Sequence, residues 1–210
     1  MRNMLDYDNT YKKALATKDP IAFINNRWGD PKPYFDQFVK PYIKDGYTSI
    51  EIGSGFGRYT QLLQRHSKLI YAIDASDVCR SFLKKVFNTE IKVLPPGQVG
   101  AIPDQSLDIG ITFSTMLHFN QYEIGWYMKR LEKKMHSGAK FVLHYADLNA
   151  ASGSLKSNVS NRFGDVGRYN FYVPAMIKAI SSEFGFRTLT VEEPKKPIVR
   201  GHMVAILSRR

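Results

Sequence analysis

From residue 47 onward the chain alternates between two hydrophobic periods. Short apolar runs rich in β-branched residues read as buried strands, and stripes at i, i+3, i+4 and i+7 read as amphipathic helices. The expected strands are Thr48–Ile52, Leu69–Ile73, Ile91–Leu94, Leu107–Phe113, Lys140–Tyr145, Arg187–Val191 and His202–Leu207. The expected helices are Tyr59–His66, Val78–Phe87, Gln121–His136 and Val173–Phe184. Ser76 or Asp77 caps the second helix. Ile124, Met128, Leu131 and Met135 stripe the third, which Gly138 is expected to end, as Gly185 ends the last.

Strands alternating with helices require a mostly parallel sheet with right-handed crossovers. Only E-E-P-K-K-P-I-V-R-G separates the last two strands, too little for a helical crossover, so these two form an antiparallel pair. The expected fold is therefore α/β, a three-layer αβα sandwich on a seven-stranded, mostly parallel sheet with an antiparallel last strand. Residues 46–210 hold it. Residues 1–45 read as an N-terminal helical arm, with helices at Asp8–Thr17, Pro20–Asn26 and Tyr34–Ile43 and a turn at W-G-D-P-K-P, where Pro31 restrains Asp30. The arm either caps a ligand, with an aromatic wall, or covers a sheet edge.

The first strand runs into E-I-G-S-G-F-G, with glycines at 53, 55 and 57, and then into a helix. A strand, a glycine turn and a helix N-terminus make a nucleotide-binding corner. The second strand ends in Asp74, an acid placed to accept both hydroxyls of a ribose. The dinucleotide spacing G-x-G-x-x-G fails, because position 58 is Arg58. Glu51 is unsuited to a diphosphate but suits a cation. A ribose joined to a positive centre fits better, and S-adenosylmethionine has both. A nicotinamide dehydrogenase is disfavoured by the same spacing.

At 210 residues the chain suits one domain with a small appendage, and its 43% apolar content is that of a globular protein. No run reaches the length of a membrane span, and the N-terminal residues lack a signal-type apolar region. The lone Cys79 fits a reducing compartment and a packing role, so a cytoplasmic location is expected. The net charge of +11 favours an anionic partner. The cations are dispersed, however, and Lys129, Arg130, Lys133 and Lys134 read most simply as the solvated face of a helix.

The ensemble resembles the seven-stranded, Rossmann-like class I S-adenosylmethionine-dependent methyltransferases over about residues 40–210. The residues that carry the resemblance are E-I-G-S-G-F-G, the acid in Y-A-I-D-A-S, I-P-D-Q-S-L-D-I-G-I-T-F-S, L-E-K-K-M-H-S-G-A-K-F-V-L and I-S-S-E-F-G-F-R. W-G-D-P followed by a helix ending K-P-Y-I also looks like methyltransferases of bacterial surface-glycan and polysaccharide pathways. The resemblance implies S-adenosyl-L-methionine as cofactor. It implies Glu51 facing the sulfonium end, Gly53, Ser54, Gly55 and Gly57 in the glycine turn beneath the methionine, and Asp74 on the ribose. Ala75 and Ser76 would then lie beside the adenine and Ser114 would border the methionine. Many relatives carry an acid after the third strand for the adenine amine; here Gln98 or a backbone carbonyl must replace it.

Methyl transfer asks the protein for alignment, dryness and, with a hydroxyl acceptor, a base. Such groups belong at the carboxyl ends of strands four and five. His118, His144 and Asp147 are the candidates there, with apolar packing as the competing reading of each histidine. Tyr145, Arg162 and Arg168 are candidates for holding the acceptor, the arginines by clamping a phosphate or carboxylate. His66, His136 and His202 read as structural. No residues have metal-ligand spacing, so no metal is expected. The position after strand four reads S-T-M-L rather than the Pro-Pro-aromatic tetrad of amino-base methylation, and Cys79 is misplaced for pyrimidine carbon-5 chemistry. The expectation is O-methylation of a small-molecule or glycan-type acceptor, anionic if the net charge is a guide. The alternatives are ribose methylation of RNA, with nucleic acid the less favoured partner, and a non-catalytic S-adenosylmethionine-binding protein of the same fold.

Overall fold

The computed structural model describes residues 2–87, 90–149, 170–195 and 201–210, with side chains from residue 9. Arg162 and Arg168, and most of the loop that carries them, lie outside the described residues. In chain order the elements begin with α1 (Arg2–Leu15), α2 (Pro20–Trp28), α3 (Lys32–Phe38), β1 (Tyr47–Ile52), α4 (Thr60–Leu63), β2 (Ser67–Ile73), α5 (Asp77–Val86) and β3 (Ile91–Leu94). A 3-10 turn at Pro96–Ala101 precedes β4 (Leu107–Thr112), and a second at Met116–His118 precedes α6 (Gln121–Lys134). Then come β5 (Met135–Asp147), β6 (Phe171–Tyr172), α7 (Pro174–Glu183), β7 (Phe186–Glu192) and β8 (His202–Arg209).

The sheet order is β3-β2-β1-β4-β5-β8-β7, and β8 runs antiparallel to both of its neighbours. The remaining pairs on this path are parallel. Parallel strands covered on both faces should be apolar along their whole length rather than alternating, and β1 is buried from Thr48 through Ile52. Alternate residues feed two cores. Ile50, Ile52, Phe141 and Leu143 pack with Ile124, Met128 and Leu131 of α6 and Ile177 of α7. Ile70, Ile109, Ile111 and Val142 pack with Tyr34, Phe35 and Phe38 of α3, Leu63 of α4 and Leu83 of α5. Helix, sheet and helix layers follow.

A third cluster joins Ala14 of α1 and Ile24 of α2 to Phe56 in the glycine turn and to Cys79 and Phe82 of α5. Arg58 strengthens the join from a buried position. Its Nε donates to Asn25 Oδ1 at 2.8 Å, and its Nη2 donates to the carbonyls of Trp28 and Gly29, the last residues of α2 and its C-cap. A cation at a helix C-terminus meets the negative end of the helix dipole.

Several elements differ from the sequence expectation, among them α1 (Arg2–Leu15), which starts before the expected Asp8. The helix expected at Tyr59–His66 is the single turn α4, because Gln64–His66 bend back so that β2 can start at Ser67, whose Oγ lies 2.6 Å from that of Ser49. The third crossover helix stops at Lys134, not at Gly138. Met135 is drawn into the sheet opposite Leu107, and Gly138 sits three residues along β5 in a bulge with φ 84°. The helix expected at Tyr34–Ile43 is the shorter α3, followed by turns. The two-residue strand β6 was not expected; it pairs with β5 at Ala146 and Asp147, beyond the end of β4.

Gly57 closes the turn from β1 into α4 with φ 81°, and a Cβ there would lie 2.6 Å from the Phe87 ring and 3.0 Å from Leu83. Gly57→Ala should cost about 2–4 kcal/mol, adding left-handed strain to overpacking. Urea unfolding will read this as a lower midpoint at unchanged slope; a change within about 0.5 kcal/mol, the range of an ordinary surface substitution, refutes the constraint.

Candidate active site

A cavity of about 1000 Å³ opens across the carboxyl ends of β1, β2, β4 and β5, where open parallel sheets bind ligands. The glycine turn forms its floor. Gly53 N–H and Ser54 N–H both donate to the Ile73 carbonyl, at 2.7 and 3.1 Å, tying the end of β1 to the end of β2. Gly53 is held at φ 77°, and a Cβ there would fall 2.0 Å from Thr115 Oγ1. Only glycine lets β1 and the turn after β4 approach so closely.

Two carboxylates flank this floor. Asp74, the residue after β2, accepts the Gly55 N–H on Oδ2 at 2.7 Å and the Ser76 N–H on Oδ1 at 2.8 Å. These two bonds fix the orientation of the carboxylate, which lines the cavity. Glu51 is buried near the end of β1 and accepts the Thr60 hydroxyl at 2.6 Å. Burial pushes its pKa up to about 8, Asp74 adds to the rise, and the Thr60 hydrogen bond and Arg58 oppose it.

Ala75, Ser76, Pro96 and Gly97 line the cavity beyond Asp74. Gln98 does not; its N–H closes the 3-10 turn on the Pro95 carbonyl at 3.0 Å. Ser54, Gly55 and Ser114 also line it, whereas Gly57 faces Phe87 and Leu83 of the α5 region.

The other end of the cavity holds three histidines: His118 in the second 3-10 turn, His144 on β5 and His202 at the start of β8. The His144 ring stands 4.9 Å from His202, 5.7 Å from Tyr34 and 5.8 Å from Phe113, measured between centroids. Burial lowers the His144 pKa well below the ordinary imidazole value, with His202 and His118 adding to the effect. Burial, then His118, lowers that of His202 to about 4. Among the described residues, no group of three or more His, Cys, Asp or Glu side chains is arranged to hold a metal ion.

Besides Gln98 and Gly57, two further expected site residues are not brought to this cavity. Tyr145 follows His144 on β5 and therefore points to the opposite face, into the α6 core, where its hydroxyl is buried without a partner among the described residues. Asp147 is buried at the end of β5, with its carboxylate on the Asn149 N–H at 3.1 Å and its own N–H on the Gly201 carbonyl at 2.7 Å. His202, read as structural from the sequence, is a correction in the other direction. The antiparallel pairing already implied it, because the first residue of an antiparallel neighbour lies at the carboxyl end of β5. The arm also contributes more than the sequence specified: Tyr11, Ile24, Arg27, Trp28 and Tyr34 all line the cavity.

No family model matches the sequence, and no curated protein matches it. Solved structures do match the fold. The magnesium protoporphyrin IX methyltransferase of Synechocystis PCC 6803, with bound SAH, superposes with a TM-score of 0.72 at 13% identity over 100% of both chains. The fold is that of the S-adenosylmethionine-dependent methyltransferases. A methyltransferase of this kind from Archaeoglobus fulgidus matches at TM-score 0.67 and 14% identity over 97% of this chain and 99% of that one. Another, from Mesorhizobium loti, matches at 0.66 and 13% over 86% and 98%. At such identities the likeness is one of architecture; the site must be argued from this chain's own residues.

Glu51 gives the site a measurable signature. Its folded pKa lies above the ordinary glutamate value, so the folded state binds the proton more tightly than the unfolded state. Its stability contribution is therefore fully present at acid pH and is lost as pH rises toward about 8. Relative to Glu51→Gln, the ligand-free wild type should lose stability between pH 5 and 8, by up to about 1.4 kcal/mol per pH unit. Parallel curves for the two proteins in urea titrations at several pH values would show that Glu51 is not the buried acid described.

Proposed function

We propose that this chain is an S-adenosylmethionine-dependent methyltransferase that O-methylates a small-molecule or glycan-type acceptor. The single observation that carries the reading is the joining of Glu51 and Asp74 across one glycine floor, in a cavity that continues to three histidines. The residues fit the cofactor. Asp74 is a carboxylate on the cavity wall at the end of the second strand, the position from which an acid receives the hydroxyls of a ribose; the floor at Gly53 has no room for a side chain, and Glu51 is a buried acid whose charge a sulfonium or ammonium would stabilise. Ser54, Gly55, Ala75, Ser76 and Ser114 complete the residues that would hold it.

When bound, S-adenosylmethionine supplies an activated methyl carbon together with its own leaving group, so the protein has little covalent chemistry to do. The chain's residues orient and dry the site. Tyr34, Tyr59, Phe113 and Leu117 are buried residues that wall it with apolar surface, which strengthens the electrostatic contacts within it. His118 is the best-placed proton acceptor: it lines the cavity, is only half-buried and follows β4. His144 is less suited, since its Nδ1 already accepts the Ser114 N–H at 2.9 Å.

A second reading, ribose methylation of RNA, draws on the net charge of +11. Titration with structured RNA at two salt concentrations separates the two: saturable binding with a steep salt dependence supports RNA, and weak unsaturated binding supports the small acceptor. Transfer of labelled methyl groups into an extract of candidate acceptors tests for turnover; none at all would leave the non-catalytic reading.

Asp74→Ala should weaken S-adenosylmethionine binding by about 1–3 kcal/mol through loss of charge-assisted hydrogen bonds, and unchanged affinity by calorimetry refutes its role. His118→Ala should lower kcat by about 10²-fold or more while cofactor affinity stays nearly constant. A fully active His118→Ala rejects it as the base.

A further inference from the structure

The turn after β4 is held in an uncommon shape by a histidine. Ser114 has φ 55°, one of two non-glycine residues with positive φ among those described, and it lines the cavity at the carboxyl end of its strand. Left-handed backbone is unfavourable for an L-residue, so neighbouring contacts must hold it there. The contact is the bond from Ser114 N–H to His144 Nδ1 at 2.9 Å. Thr115 comes next, its Oγ1 donating to the Phe113 carbonyl at 3.1 Å and standing 3.5 Å from the Gly53 carbonyl. The Thr115 side chain fills the space that a Cβ on Gly53 would need.

A ring nitrogen that accepts a peptide N–H carries no proton, so His144 is the neutral tautomer with its hydrogen on Nε2. Nε2 is buried without a partner among the described residues. The titratable groups facing the ring are His202 from β8, His118 from the 3-10 turn and Tyr34 from α3. Protonating His144 would set an Nδ1–H against the Ser114 N–H and would place a second positive charge near any other charged histidine of the three.

We propose that His144 is a positioning residue: its Nδ1 fixes the left-handed turn at Ser114, and through Ser114 and Thr115 it sets the floor on which the methyl donor lies. Its consequence for the donor rests on the methyltransferase reading; the clamp itself does not.

Three variants and one spectrum test it. His144→Leu removes the acceptor. His144→Asn offers an amide oxygen in its place and cannot titrate. The double variant His144→Leu/Ser114→Gly supplies a residue that takes positive φ without strain. The probe is S-adenosylhomocysteine, followed by calorimetry. His144→Leu should bind it about tenfold or more weakly, His144→Asn within about threefold of wild type, and the double variant should recover most of the loss. Imidazole ¹⁵N spectra of the wild type should show His144 as the neutral Nε2–H tautomer, without titration near the ordinary imidazole pKa, and His144→Asn should keep the Ser114 amide resonance near its wild-type position. An Nδ1–H tautomer, ordinary titration, unchanged affinity in His144→Leu, or a double variant as weak as the single one overturns the proposal. If His144→Leu does not fold, the spectrum and His144→Asn still decide. If the wild type fails to bind the probe, the methyltransferase reading falls, and the tautomer and the Ser114 amide still report on the clamp.

Discussion

The tight passage of the chain from Gly53 to Gly57 governs the rest of this molecule. On one side Gly53 is pressed against Thr115, and on the other Gly57 is pressed against Phe87. Between them Phe56 stacks on Phe82 of α5 at 4.3 Å, and Arg58 reaches the C-terminal end of α2. A single turn thus touches the chain after β4, the helix after β2 and the N-terminal arm. Three segments that have no reason to be in register with one another are brought into register by contact with one backbone segment. Interiors are close-packed and transmit small displacements, so a side chain added to this turn would disturb both the floor of the cavity and its roof.

Electrostatics follow from the same crowding. Glu51 is enclosed because the turn folds back over the end of β1, and its hydrogen-bonding partner among the described residues, Thr60, lies just beyond that turn. A hydroxyl cannot replace the hydration of a carboxylate, so the acid holds its proton until something positive arrives. At the far end burial lowers the pKa of His144 and of His202, so both are disfavoured as cations. Asp74, anchored by two peptide N–H groups, is a fixed carboxylate beside the floor, and Arg27, Arg58 and Glu123 also line the cavity. Of these cations Arg58 is already engaged, by Asn25 and by the Trp28 and Gly29 carbonyls.

What could be read from the sequence was what depends on near neighbours in the chain. The glycines, Glu51 and Asp74 declare themselves because a strand, a sharp turn and a second strand end fix their relation within a short stretch. The antiparallel return of the last strand was legible because ten residues cannot hold a crossover helix. What escaped depends on contacts between distant segments. Gly138 reads locally as a helix stop, but burial of Met135 opposite Leu107 ends the helix earlier. His202 looks like any strand residue until β8 is set beside β5, with His202 opposite Ala146 and diagonal to His144. Tyr145 was misjudged for the opposite reason: nearness along the chain to His144 was taken as nearness in space, whereas adjacent strand residues face opposite sides.

That alternation also explains why β5 carries so much of the site without supplying a row of catalytic groups. Only every second residue near its end can face the cavity, and Ala146, next on that face after His144, is small. The space above Ala146 is filled from β8 by the His202 ring, and Tyr34 of α3 closes the same corner edge-on. An arm residue, a strand residue and a residue from the last strand therefore meet over one imidazole. The histidine end of the cavity needs the arm, the central sheet and the antiparallel return together. The glycine end needs the arm as well, because Ala14 and Ile24 pack on Phe56 and the Tyr11 hydroxyl lies 3.1 Å from where a Cβ on Gly55 would stand. A chain that lost the arm would lose a wall at one end of the cavity and the packing behind the glycine turn at the other, so both ends of the cavity depend on segments far apart in sequence.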